Sequence, residues 1–330
     1  MNAMAWLLVS LVAGLVITWL VRNASRRLGL VAHPGAIVPQ HREPVASTGG
    51  IAIALTVLLV TIAGQYADGE GLALIAPRVW IPASLFLILG VIDDIRPLHA
   101  VAKIALQSVA AISAVALGLR WHLTGVEPVD IAISIAWFVL LVNAFNVTDV
   151  CDGLVGGLAV IMLAFAGARA PMSWVMLVTI GAVLGFLVFN RPPASIFLGD
   201  GGSHLLGFIV GAGLLPHTPA DASVSWKHAA AAAIACGVVL LEVVLLVYSR
   251  RRTGIPWWRG SPHHFSLRLQ ARGLSRITID VVAWSVAVVL CVIAWFVPRI
   301  PDRMAITVTL AVALALTATG RLLMRWDTRR

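Results

Sequence analysis

Long apolar runs follow one another so closely along this chain that little room is left between them. A helix crossing a bilayer needs about 17–22 apolar residues. Runs of this kind lie near residues 3–21, 48–65, 79–92, 101–118, 130–147, 154–168, 172–189, 202–216, 228–248, 280–297 and 304–321. The third, sixth and eighth are short, which predicts tilt or partial insertion. With 60% of 330 residues hydrophobic and only 12% charged, a soluble fold would leave much of this apolar surface in water. The sequence therefore predicts an all-α, polytopic integral membrane protein of about 10–11 transmembrane helices, built as a single domain over residues 1–330. The first run has no basic lead and no small-residue cleavage site, so it reads as a retained anchor. Cys151, Cys236 and Cys291 show no paired spacing, so neither a disulfide framework nor a zinc site is implied.

Lysine and arginine set the orientation. Loops after odd-numbered runs, with the tail, carry seventeen of the 24 basic residues; loops after even-numbered runs carry six, and Lys103 lies just inside a run. The positive-inside rule then places the amino terminus outside and the carboxyl terminus in the cytoplasm. The formal charge of +9 is accounted for by cytoplasmic loops facing anionic lipid, and no nucleic-acid partner is expected.

The polar residues gather at the ends of runs, and mostly at odd-loop ends. Asn146, Asp149 and Asp152 recur at three-residue intervals, followed by Gly153, Gly156 and Gly157. Charged groups at the mouth of membrane helices are costly and ordinarily face a cavity; a plain polar hairpin is the competing explanation. Asp93 and Asp94 are adjacent and repel unless a cation or proton lies between them. Hard oxygen ligands of this type suit Mg2+, which binds one or two carboxylates together with substrate phosphates. Lys103 either neutralises phosphate or snorkels to the interface. Asp200 is either a ligand or the N-cap of the eighth helix, and Phe197 either stacks on a flat base or belongs to the core.

Two further odd loops add basic and glycine-rich features. Residues 22–48 carry His33 and His41, and Gly49-Gly50 opens the next helix as a modest anion-site signal. Residues 249–276 hold His263, His264 and Arg268, a set able to bind diphosphate or move a proton. Trp257 and Trp258 fit an amphipathic segment lying on anionic lipid instead. Glu242 is a lone acid inside the ninth run, with a partner expected in this basic loop or at Lys103. The acids of the even loops form no comparable cluster. One site on the cytoplasmic face, assembled from several loops, is the economical account, and its chemistry points to a metal–phosphate substrate.

Four ordered motifs resemble a known family. Asp93-Asp94, the 143–154 segment with Asn146, Asp149 and Asp152, Phe197-Leu-Gly-Asp-Gly-Gly-Ser203, and His263-His264 match the polyprenyl-phosphate N-acetylhexosamine-1-phosphate transferases over about residues 33–276. The resemblance implies a transferase of the bacterial inner membrane with a cytoplasmic active site. It implies Mg2+ (or Mn2+), a UDP-activated amino sugar and a polyprenyl phosphate acceptor, with release of UMP and a lipid-linked sugar diphosphate. By the same resemblance Asp200 is the principal metal ligand, and Asp93 and Asp94 deprotonate or orient the lipid phosphate, with metal contact. Asn146, Asp149 and Asp152 then hold the nucleotide side with Phe197 against uracil. His263, His264 and Arg268 meet the diphosphate or sugar, and Lys103 matches a basic position. A homodimer is left open.

Two departures shape the expectation. Val150-Cys151 stands where the family usually has a glycine followed by leucine or isoleucine. The last loop has two histidines where the peptidoglycan branch carries three, which favours the branch that initiates O-antigen and other surface glycans. The alternatives are the phospho-N-acetylmuramoyl-pentapeptide transferase of peptidoglycan synthesis and, in a different class, a secondary transporter using intramembrane acids.

Overall fold

The structure is a computed structural model describing residues 3–32, 44–68, 77–169, 174–216, 225–256 and 258–326; His33, His41 and Trp257 lie outside the described residues. Each predicted run becomes helix. In chain order these are α1 (Ala3–Leu28), α2 (Gly49–Asp68), α3 (Pro77–Ile95), α4 (Ala100–Ala116), α5 (Glu127–Thr148), α6 (Leu154–Arg169), α7 (Trp174–Asn190) and α8 (Gly199–Gly213). The chain continues through α9 (Trp226–Ala235), α10 (Gly237–Arg252), the short α11 (Phe265–Gln270), α12 (Arg276–Phe296) and α13 (Asp302–Met324). Five of the described helices are long and apolar enough to cross a membrane individually, and six spans result if the bent pair α9–α10 counts as one. The fold is all-α and polytopic.

Two runs differ from expectation. The third is not short, because α3 carries on through Asp93 and Asp94 to Ile95. The ninth is broken: α9 and α10 meet at 74°. Cys236 leaves helical geometry there (φ −84°, ψ 7°), and Gly237 packs so closely on Leu290 that a Cβ would come within 2.8 Å of its side chain.

Helices α6, α7 and α8 are buried over most of their length and form the centre of the bundle. The outer helices α1, α12 and α13 turn apolar side chains outward, among them Val12, Val16, Val289, Val292, Leu310 and Leu314. Such an apolar exterior is stable against lipid and not against water. Small residues let helices approach backbone to backbone. A Cβ at Gly185 of α7 would stand 2.6 Å from the Leu15 nitrogen of α1, and Ser10 donates a 2.6 Å hydrogen bond to the Val178 carbonyl beside it.

The same device draws α2, α3 and α8 together. A Cβ at Gly50 would lie 2.2 Å from the Gly202 nitrogen, and one at Gly90 would lie 2.4 Å from the Asp200 carbonyl oxygen. The strands β1 (Val31–Ala32) and β2 (Val45–Ala46) pair antiparallel, and Ala46 bridges onward to Ile196. Contacts then join every odd loop. Arg22 and Arg26 donate to Ser195, Asp94 accepts from Asp200 and Gly201, Asn146 donates to Asp200, and Arg276 donates to Asp152. Even loops make contacts among themselves, as in the 3.0 Å pair between Lys227 and Asp302.

Candidate active site

The first cluster is built where the end of α3, the start of α4, the end of α5 and the start of α8 meet. Lys103 is its hub. The ammonium lies 2.5 Å from Asp93 Oδ2 and 3.0 Å from Asp200 Oδ2, and it donates to Asn146 Oδ1 at 3.2 Å. Its side chain is only 15% exposed, so it does not snorkel to water; it neutralises the two acids. Asn146 Nδ2 donates to Asp200 Oδ1 at 2.8 Å and to Ser203 Oγ at 3.1 Å. This amide therefore ties the Asp200 carboxylate to the end of α5.

The adjacent acids divide their work. Asp93 Oδ1 accepts the Leu98 N–H at 2.7 Å, leaving Oδ2 to Lys103. Asp94 accepts from the N–H groups of Asp200 (3.0 Å) and Gly201 (3.2 Å), the first turn of α8. A carboxylate favours the positive end of a helix dipole, so Asp94 caps a helix other than its own. Asp200 is consequently not the N-cap of α8; Leu198 holds that position without a side-chain bond. Both oxygens of Asp94 accept from this backbone. Gly199 has φ +75°, and a Cβ there would lie 2.4 Å from the Ser47 carbonyl oxygen and 2.8 Å from Asp94 Oδ2. Glycine is required at this turn.

Asp149 follows α5 and is half-buried. Burial, and then the negative charge of Asp200, Asp94 and Asp152, hold its carboxyl well above the ordinary carboxylate range. Asp152 faces a second cluster. It accepts from Arg276 at 2.9 Å and from the Ala194 N–H at 3.1 Å, while Asn190 bridges the Gly153 N–H to the Ile196 carbonyl. Phe197 is half-buried beside them, its backbone spent on Ala46 and Gly49. The N–H groups of Gly49 and Gly50 donate to the Phe197 and Leu198 carbonyls, so this helix start is closed by protein and does not offer the anion site its glycines had signalled.

The histidine loop forms a third group. His264 Nδ1 lies 2.7 Å from Glu242 Oε1, and the Phe265 N–H donates to Oε2 at 3.1 Å. Arg268 is buried; it donates to the carbonyls of His263, Leu323 and Trp326 and to Ser249 Oγ. These bonds tie the end of α13 to the loop. The described bonds of His264 run to Glu242 and not to the first cluster.

Known proteins are similar to this chain over the segments that carry these residues. The model for glycosyl transferase family 4 matches residues 77–216, from α3 to just beyond α8. A probable undecaprenyl-phosphate N-acetylglucosaminyl 1-phosphate transferase of Bacillus subtilis is 30% identical over 283 residues, covering 81% of this chain and 77% of the relative. The chain belongs to glycosyl transferase family 4. Its membership makes it an enzyme. A decaprenyl-phosphate N-acetylglucosaminephosphotransferase of Mycolicibacterium smegmatis is 32% identical over 237 residues, 62% of this chain and 58% of that one. A phospho-N-acetylmuramoyl-pentapeptide-transferase of Acetivibrio thermocellus is 32% identical over 192 residues, 52% and 54% respectively. The chain thus spans between about half and three quarters of the length of these relatives.

Several residues of this family-4 site carry no motif signal. Arg276 was legible only as one of seven arginines in a basic loop, and Asn190 only as the residue before Arg191. Beneath Lys103, buried Gln107 contacts His204 Nε2 at 2.9 Å and accepts from Asn143 at 2.6 Å, giving the cluster a polar floor. The spacing of Lys103 and Gln107 by one helical turn was the one available hint.

Proposed function

We propose that the protein transfers an N-acetylhexosamine 1-phosphate from a UDP-sugar to a polyprenyl phosphate, releasing UMP, to initiate a lipid-linked surface glycan. The observation that carries this reading is the Lys103 ammonium set among Asp93, Asp200 and Asn146 where four helices of a membrane bundle meet. The activities named for the Bacillus and Mycolicibacterium relatives favour this branch over the pentapeptide transferase. A transporter would place its charges at mid-membrane in repeated halves, whereas these charges lie at helix ends.

The donor set of the first cluster is made of hard oxygens and suits Mg2+ or Mn2+. Mg2+ ordinarily binds one or two carboxylates and takes its remaining ligands from substrate phosphates and water. Asp200 and Asp93 would hold it, with Asp94 positioning Asp200 through the start of α8. When bound, the ion supplies positive charge to the diphosphate.

The chain's own residues supply the rest. Asp93 orients the lipid phosphate and takes its proton. An oxygen of that phosphate forms a bond to the sugar-linked phosphorus, the bond from this phosphorus to the bridging oxygen breaks, and UMP leaves with that oxygen. Lys103 offsets the growing charge in surroundings of low dielectric, where such a cation acts most strongly. Asp149, Asp152 and Phe197 form the nucleotide side, and His263 and His264 the sugar-phosphate side. The basic bias of the odd loops supports a cytoplasmic orientation of this face, in a bacterial inner membrane.

The test is purified protein with undecaprenyl phosphate, Mg2+ and a panel of UDP-amino sugars, read as UMP release and lipid-linked product. Turnover is expected with UDP-N-acetylglucosamine or a close relative, and chelation with EDTA stops it. Asp200→Asn abolishes it while the protein still inserts; unchanged turnover in that variant sinks the metal assignment. Counterflow of labelled substrate without any product would return the transporter reading.

A further inference from the structure

Glu242 stands in an apolar helix and is fully buried, a costly place for an acid unless it has a task. Its two oxygens are both committed, one to the His264 ring at Nδ1 and one to the Phe265 N–H. Around it the loop is fastened a second and a third time. Arg250 Nε donates to Ser261 Oγ at 3.1 Å, and Arg268 grips Ser249 and the end of α13. The imidazole is thus held at one nitrogen by a rigid helix, and the residue that follows it is held by the same carboxylate.

A carboxylate bonded to Nδ1 fixes the tautomer and ring orientation of a histidine, leaving its other nitrogen for chemistry. Helix α10, which carries Glu242, packs along α5, which carries Asn146 of the first cluster. We propose that Glu242 is a positioning residue for the transfer reaction: it locks His264 with Nδ1 toward α10, so that Nε2 is the atom presented to a phosphate of the substrate. This rests on the transferase reading above and adds a residue to it.

A double-mutant cycle on UMP release tests it. Glu242→Gln retains an acceptor for His264 but sets an amide N–H2 against the Phe265 N–H, so the ring and the loop lose their common anchor. If Glu242 acts through His264, Glu242→Gln and His264→Ala each lower kcat by about 10-fold or more, and the double variant is no slower than His264→Ala alone. Losses that multiply in the double variant, with KM unchanged in each, make Glu242 an independent structural residue and overturn the proposal.

His264→Asn keeps the argument testable should Glu242→Gln fail to fold. Its amide can take the place of Nδ1 and keep Glu242 bonded while removing Nε2. Wild-type thermal stability with lost turnover supports the proposal; wild-type turnover in His264→Asn defeats it. Absence of UMP release from the wild-type protein is a different result, since it removes the transferase reading itself.

Discussion

Asp94, at the end of α3, accepts the backbone N–H of Asp200 at 3.0 Å, so one acid of the site fixes the main chain of another 106 residues away. Its second oxygen takes the Gly201 N–H. The carboxylate therefore sets where α8 begins and, with it, where the Asp200 side chain points toward Lys103. Asp94→Asn leaves one accepting oxygen and turns an amide donor toward a backbone donor. The expected cost is about 1–3 kcal/mol, seen as a lower melting temperature in detergent, together with reduced UMP release. An unchanged melting temperature would show that the first turn of α8 does not depend on this cap.

Lys103 yields a sharper outcome. Replacing it with methionine leaves Asp93 and Asp200 facing each other with their shared cation gone, and removes the charge that the proposed transfer sets against the reacting phosphates. A kcat loss of about 100-fold or more is expected, the scale seen when one stabilising donor is taken from a preorganised site. Lys103→Arg should not restore it, because a planar guanidinium cannot place one compact charge among three acceptors. Steady-state kinetics of both variants decide the matter; near-wild-type kcat in Lys103→Arg would mean that positive charge alone suffices.

Helices and charges differ in how far they can be read from the chain. Each of the eleven apolar runs is helix because run length and composition determine membrane helices directly. The bend at Cys236 was hidden, since Cys236-Gly237 lies inside an unbroken apolar stretch and the kink depends on packing against Leu290. The gathering of odd-loop acids was legible from loop parity. What parity could not show is which carboxylate bonds to which partner: Asp94 reaches α8, Asp152 reaches Arg276, and Glu242 reaches His264. Arg268 likewise binds carbonyls at Leu323 and Trp326, more than fifty residues on. Tertiary contacts of this range have no local pattern.

Glycine packing should matter as much as charge. At Gly90 a Cβ would press on the Asp200 carbonyl oxygen at 2.4 Å, and the three nearest atoms it would meet are all backbone. Gly90→Ala must separate α3 from α8, at an expected cost of about 1–3 kcal/mol, and the shift carries Asp200 away from Lys103. Gly320→Ala is the control, because a Cβ there meets only the flexible end of Leu241 at 3.2 Å. Thermal melts should fall for the first variant and hold for the second, with turnover following the same order. Equal effects would show that close approach at Gly90 is not what places Asp200.

The last prediction concerns pH. Asp149 lies just past α5, and burial with the charges of Asp200, Asp94 and Asp152 keeps its carboxyl above the usual range. The folded protein thus retains this proton at pH values where the unfolded chain, with a carboxyl pKa of about 3.9, has lost it. Stability is unpenalised below that pKa and falls as pH rises from there until Asp149 ionises in the fold. Asp149→Asn removes this component, so its melting temperature in EDTA should decline less over the same interval and exceed wild type at neutral pH. UMP release, measured with Mg2+ restored, should fall in the same variant, because the proposed transfer uses the Asp149 carboxyl on its nucleotide side. Parallel melting curves for the two proteins would show that Asp149 ionises in the fold as it does in the unfolded chain.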